Sequence, residues 1–312
     1  LEQIAVSPQG TEIGLLASGA RSPKRVIVYR PGEGGIILRR STAENLSPEA
    51  YSVPQPLSWP SLDGETTHGL YYPPQNERYT AEGPPPLIVL VHGGPTGQRG
   101  ATFYARVQFF TSRGYAVLQP NYRGSTGYGR AYRDALKGQW GVFDVEDTVS
   151  GAQYLAGEDL ADAQRMVIMG GSAGGFTVLK ALEEYSGVFK AGVSMYGVAN
   201  HFTLAADTHK FEERYLDSLL GALPESADVY RERSPIYAAD KIQDALAIFQ
   251  GEDDKVVPKN QSESIVEALK RNGVPHEYHL YPGEGHGFRK SETVEHFYET
   301  LDNFLRDHVI FT

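Results

Sequence analysis

Apolar residues fall in short bursts along the whole chain, and the spacing of those bursts changes near residue 85. Before that point, positions 4–10, 13–17, 25–29 and 36–39 are apolar or alternating runs between Gly-, Pro- and Ser-rich turns, which predicts short strands. A Pro-rich connector, Ser47-Pro48 through Pro54-Gln-Pro56, leads to apolar runs at 57–59 and 69–72 joined by Leu62-Asp-Gly64, an antiparallel hairpin pattern. After the loop Glu82-Gly-Pro-Pro-Pro86, the unbroken run Leu87-Ile-Val-Leu-Val91 predicts a strand buried on both faces. From there, strand patterns at 115–119, 166–169, 191–195, 247–250 and 277–281 alternate with helical patterns at about 101–112, 144–156, 173–185, 260–272 and 292–308. Repeated βα units imply an α/β fold: a mostly parallel sheet flanked by helices, with chemistry at the carboxyl ends of its strands.

The first fifty residues stand apart. Their strands, at roughly ten-residue spacing, resemble one blade of a β-propeller. A single blade cannot bury both of its faces, so the expected organisation is a propeller remnant over 1–50 and an α/β domain over 51–312. The chain opens on Leu1 rather than Met, which reads the same way, as the C-terminal part of something longer. A hairpin pair packed on the main domain is the alternative.

Composition narrows the partners. Lys and Arg number 29 against 39 Asp and Glu, a net charge of −10 with no long basic run, which argues against nucleic acid and anionic membrane surfaces. The apolar runs are far shorter than the roughly 20 residues of a bilayer-spanning helix. The absence of cysteine rules out thiol catalysis and is compatible with a cytoplasmic location.

The candidate chemistry centres on Gly170-Gly-Ser-Ala-Gly174, which fits Gly-x-Ser-x-Gly between a predicted strand and a predicted helix. In such a nucleophile elbow the serine backbone is strained and its flanking glycines lie too close for a Cβ. In a chain with 34 glycines the pattern alone is weak. Acyl transfer also needs a base, an orienting carboxylate and an oxyanion hole, and an α/β-hydrolase presents Ser, acid and His in that order, each past a strand. The acid falls in Glu252-Asp253-Asp254, where Asp254, just before Val256-Val257, suits the turn best and Asp253 is the alternative. The base is His286, between glycines and after the last strand. The turn His92-Gly-Gly-Pro95 offers the amide of Gly94, which with that of Ala173 makes the oxyanion hole, His92 orienting the loop. His68, His201, His209, His276, His279, His296 and His308 form no zinc-like spacing, so neither metal nor cofactor is expected.

Taken together, Val91-His-Gly-Gly-Pro95, Asn121-Tyr-Arg-Gly-Ser-Thr-Gly-Tyr-Gly129, Trp140-Gly141 with Asp144 and Asp147, Gly170-Gly-Ser-Ala-Gly-Gly175, Asp254-x-x-Val257-Pro258 and Gly285-His-Gly-Phe288 resemble the prolyl oligopeptidase family of serine peptidases, nearest its acylaminoacyl-peptidase branch. The resemblance implies an α/β-hydrolase domain after a β-propeller, Ser172, Asp254 and His286 as the triad, and short peptides or acyl-peptides as substrates, with self-association open. It also implies that Tyr196 and Val257 line the pocket for the residue before the scissile bond. Arg123 reads first as a cation holding its loop and second as a substrate contact. The segment 197–240, with Phe202, Phe211, Tyr215 and Tyr230, reads as the cap. One position departs: many acylaminoacyl-type members carry Arg two residues after the catalytic Asp, and here it is Val256. An apolar side chain does not replace a bidentate cation, which keeps a carboxylesterase as the alternative, with a non-catalytic binding module a third reading.

Overall fold

The computed structural model describes residues 1–43, 47–207 and 214–312. Twelve strands form two separate sheets among the described residues. The first is an antiparallel meander of β1 (Gln3–Val6), β2 (Ile13–Gly19), β3 (Ser22–Arg30) and β4 (Gly34–Arg40), a blade-like segment. Its alternation does not end in a core: Ile4, Val6, Val26, Ile36 and Leu38 are all exposed.

The second sheet has eight strands: β5 (Gln55–Pro60), β6 (Thr66–Tyr72), β7 (Leu87–Val91), β8 (Ala116–Asn121), β9 (Met166–Gly171), β10 (Ala191–Met195), β11 (Ala245–Gly251) and β12 (His276–Tyr281). Its order is β12-β11-β10-β9-β7-β8-β6-β5. The hairpin β5–β6 continues the sheet antiparallel to β8, and every pairing from β8 through β12 is parallel. This is the α/β-hydrolase architecture.

Strand residues send alternate side chains to the two faces. Ile88 and Leu90 join a core with Val107 and Phe110 of α1 (Ala105–Thr111) and Phe297, Leu301 and Phe304 of α9 (Ser291–Leu305). Leu87, Val89 and Val91 face the other core, built on α3 (Phe143–Gly157), α4 (Ala173–Glu184) and α8 (Asn260–Asn272). Between these helices lie α2 (Arg130–Asp134), α5 (His201–Asp207), α6 (Tyr215–Leu220) and α7 (Ala227–Arg233), the last three short helices inside the segment read as a cap.

Two features of this topology place the site. After β7 the chain turns one way to β8, while β9 lies on the other side of β7, so the order reverses there and leaves a crevice beyond the carboxyl ends. The parallel register is also level: Val91 pairs with Gly170, Gly171 with Met195, and Gly251 with Tyr281. The turns after those strands therefore open on one rim. No helix among the described residues is long and apolar enough to cross a membrane.

Candidate active site

Strand β9 ends at Gly171 and α4 begins at Ala173, leaving Ser172 alone in the turn at φ +58° and ψ −126°. A positive φ in a non-glycine residue is strained, and the glycines on either side explain how the turn closes. A Cβ on Gly170 would come within 2.4 Å of the Gly174 carbonyl oxygen, and one on Gly174 within 2.6 Å of that of Val91. The Ser172 amide is held by the Met195 carbonyl at 3.0 Å. The hydroxyl-bearing residue thus stands at the N-terminal end of α4, which favours negative charge beside it.

The turn after β7 packs against this elbow. A Cβ on Gly93 would sit 3.4 Å from Ser172 Cβ and 3.8 Å from the Ala173 amide nitrogen. Gly94, at φ +131°, adopts a conformation that a side chain would oppose. His92 anchors the turn from beneath. Burial pulls its pKa down to about 4, so the ring is neutral near pH 7. Its Nδ1 donates to the Gly93 carbonyl at 2.9 Å and its Nε2 accepts from the Ser125 hydroxyl at 2.8 Å, an assignment that uses both ring nitrogens. His92 holds the loop and has no lone pair left for a reacting proton.

The acidic run after β11 is resolved by burial. Glu252 and Asp253 are exposed, whereas Asp254 is buried. Its Oδ1 accepts the amides of Val256 and Val257, each at 2.9 Å, and its Oδ2 accepts from His286 Nδ1 at 2.8 Å. Both oxygens are engaged, and the pairing leaves His286 Nε2 as the free ring nitrogen. The His286 ring packs against Tyr196 at 4.7 Å between centroids. The acid and base loops are fastened backbone to backbone: the amide of Glu252 donates to Tyr281 and that of Asp253 to Glu284, at 3.0 and 2.9 Å.

Glu284 is a supporting residue that the sequence pattern did not single out. Buried in the base loop, its carboxylate accepts the amides of Arg289 and Lys290 at 2.9–3.1 Å. Burial pushes its pKa up, but these amides outweigh it and hold the carboxyl below its ordinary value.

Two clefts meet at Ser172. A small one of about 60 Å³ is lined by Gly94, Pro95, Ser172, Ala173, Trp140, Val198, Leu204, Tyr215, Leu216, Val256 and Val257. A wider one of about 370 Å³ carries Gly94, Ser172 and His286 together with Arg99, Tyr104, Arg106 and Tyr196. Ser172, His286, Gly94 and Ala173 are therefore gathered on one rim. A serine hydroxyl, an imidazole held by a carboxylate and converging backbone amides can transfer an acyl group through a covalent intermediate.

The other expected residues divide. Val257 lines the small cleft, but Tyr196 lines the wide one, because it follows β10 on the far side of Ser172. Arg123 lines neither. Its guanidinium contacts Asp147 through Nε and Nη2, Asp63 through Nη1 and Ser61 through Nη2, and lies 3.8 Å over the Phe143 ring. It holds its loop. Tyr215, in the cap, bonds Thr96 through its hydroxyl at 2.8 Å, whereas Phe202 and Tyr230 pack with the core, and Phe211 and His209 lie outside the described residues.

The profile of the prolyl oligopeptidase family matches residues 101–310. The chain belongs to that family. Among its relatives, dipeptidyl aminopeptidase BIII of Pseudoxanthomonas mexicana is 33% identical over 81% of this chain and 38% of its own length. A puromycin-hydrolyzing peptidase of Mycobacterium tuberculosis superposes with a TM-score of 0.94 at 39% identity, covering 98% of this chain and 48% of that one. An acylaminoacyl peptidase solved with Z-Gly-Gly-Phe-chloromethyl ketone superposes with a TM-score of 0.86 at 25% identity, over 99% of this chain and 49% of that one. The chain thus spans about half the length of these relatives or less.

Proposed function

We propose that this protein is a serine peptidase that cleaves short peptides after an apolar residue. The observation that carries the reading is the Asp254–His286 pair at 2.8 Å, with Ser172 on a strained elbow in the same cleft as His286. His286 Nε2 takes the proton of the Ser172 hydroxyl as Oγ attacks the acyl carbonyl. Asp254 stays ionised, fixes the tautomer and stabilises the imidazolium. The amides of Gly94 and Ala173 receive the oxyanion. Collapse of the tetrahedral intermediate expels the amine, protonated by His286, and leaves an acyl-enzyme that water hydrolyses by the same route.

The small cleft supports the apolar preference, since Trp140, Val198, Leu204, Leu216, Val256 and Val257 leave a side chain little but shape and burial to bind with. The named activities of relatives, an aminopeptidase and an acylaminoacyl peptidase among them, support a peptide rather than an ester substrate. Val256 favours the second reading, a carboxylesterase on the same triad. On this account the first sheet is the last blade of a propeller preceding the hydrolase domain, and the protein acts in the cytoplasm.

An acyl-Phe p-nitroanilide, a dipeptidyl p-nitroanilide with a free amino terminus and a short-chain p-nitrophenyl ester, each given to the wild type and to Ser172→Ala, test the proposal. Anilide turnover that vanishes in the variant is expected. Ester turnover without anilide cleavage would favour the esterase, and no turnover of any of the three would overturn both.

A further inference from the structure

The wide cleft holds two arginines, Arg99 and Arg106, beside Ser172. Among the described residues, Arg99 and Arg106 have no carboxylate within ion-pairing distance, and the buried Nε of each has no hydrogen-bond partner. Arg123, a short way along the chain, shows what a structural arginine looks like in this protein, with two carboxylates and a hydroxyl around it. A guanidinium presents five donors and pairs best with a planar carboxylate in a two-point contact. Leaving the buried Nε of each without a partner costs stability, so their retention beside Ser172 points to a ligand.

Both cations are also held in place. The Asn121 side chain clips the Arg99 backbone from both ends, accepting from its amide at 2.7 Å and donating to its carbonyl at 3.0 Å. The Arg99 guanidinium lies 4.9 Å over the Tyr104 ring. Arg106 projects from α1, 5.3 Å over the Phe297 ring of α9, with Tyr104, Tyr196 and Tyr298 around it. It hydrogen-bonds the Tyr298 side chain, and its Nη1 reaches the Met195 sulfur, a weak acceptor, at 3.4 Å. Preorganised donors lose little conformational freedom when a ligand arrives.

The side of Ser172 they occupy identifies the ligand. Gly94 and Ser172 line both clefts, but Ala173 lines only the apolar one and His286, which protonates the departing amine, only the cationic one. We propose that the wide cleft is the subsite for the residue after the scissile bond, and that Arg99 and Arg106 bind a carboxylate on that residue. This rests on the serine-peptidase reading. A carboxylate there has two sources, the α-carboxylate of a substrate ending at that residue or an acidic side chain at that position.

Acyl-Phe-Leu with a free carboxyl terminus, its C-terminal amide, and the amide of acyl-Phe-Glu distinguish the sources, measured on the full-length protein beside the acyl-Phe p-nitroanilide. The free acid is expected to be cleaved roughly 10- to 100-fold faster than its amide in kcat/KM, the range of a charge-assisted hydrogen bond. If the side chain is the source, the Glu amide gains instead. Arg99→Gln and Arg106→Gln should each bring the ratio of charged to uncharged substrate toward one. Should Arg106→Gln not fold, Arg99→Gln, on a loop, carries the test. Equal rates for charged and uncharged peptides, or a ratio that neither substitution moves, with the anilide still cleaved, would overturn the subsite alone. Loss of all turnover, the anilide included, would overturn the peptidase reading and the subsite with it.

Discussion

The two banks of Ser172 differ in size and in chemistry. One is a tight apolar slot of about 60 Å³ between the segment read as a cap and the acid loop, and the other a cleft of about 370 Å³ with two guanidinium groups that meet no carboxylate among the described residues. Both are lined by turns and short helices that follow parallel strands, so the sheet fixes the nucleophile while the segments on each side are free to differ. The position two residues past Asp254 is apolar and joins the slot, and the cations stand across the nucleophile from it. On this account the residue before the scissile bond is read by shape and the residue after it by charge.

The largest effect should fall on neither bank. Asp254→Asn leaves the shape of both clefts but loses the tautomer of His286, and kcat is expected to fall by about 10⁴-fold, as in other serine triads. The loss should be equal for substrates that differ on either side of the bond; a loss confined to one substrate series would place Asp254 in a cleft. Arg123→Met sharpens the contrast between paired and unpaired arginines. Removing it strands the fully buried carboxylate of Asp147, which should cost about 3–5 kcal/mol in denaturant unfolding. The ratio of rates on charged and uncharged substrates should not change, and a changed ratio would mean that Arg123 reaches substrate.

Filling the slot is the next test. Val257→Phe should lower kcat/KM for Phe before the scissile bond by roughly 100-fold and for Ala by much less. Equal loss for both would mean that the slot does not hold that side chain. The smallest effect concerns the wall behind the slot, where His201 packs 4.6 Å from the Trp140 ring. Burial first, and then the charges of Lys180 and Arg233, lower its pKa to about 3. The folded protein therefore refuses a proton that the unfolded chain accepts, and this cost is absent above pH 6.5 and grows as pH falls. Between pH 6.5 and 5 it amounts to about 2 kcal/mol. His92 acts in the same direction, and Asp144, raised by burial to about 6, in the opposite one. Replacing His201 by Phe should make the drop in Tm from pH 7 to pH 5 smaller, and an unchanged drop would contradict the buried, neutral ring.

Most of the architecture is legible in the chain because it rests on local signals. Leu87 to Val91 reads as a strand buried on both faces and is one, and α8 spans the predicted 260–272. The short helices α5, α6 and α7 escape such reading, since six or seven residues hold too few turns to show a period. At the site, Ser172, Asp254 and His286 are visible because each sits in a glycine- or proline-marked turn after a strand. What stays hidden depends on partners far away in sequence. Nothing near Arg123 reveals that Asp63, sixty residues earlier, would meet it, or that Arg99 and Arg106 would meet no carboxylate among the described residues. Tyr196 and Val257 part company for the same reason, since β9, β10 and β11 are neighbours only once the sheet forms.

The central claim is that Ser172 is the nucleophile, and a fluorophosphonate probe tests it directly. Incubation of the wild type followed by peptide mapping should place the phosphonyl adduct on Ser172, with loss of anilide turnover in step with labelling, while Ser172→Ala takes no label and turns over nothing. An adduct on another residue, or a Ser172→Ala protein that still cleaves the anilide, would contradict the account.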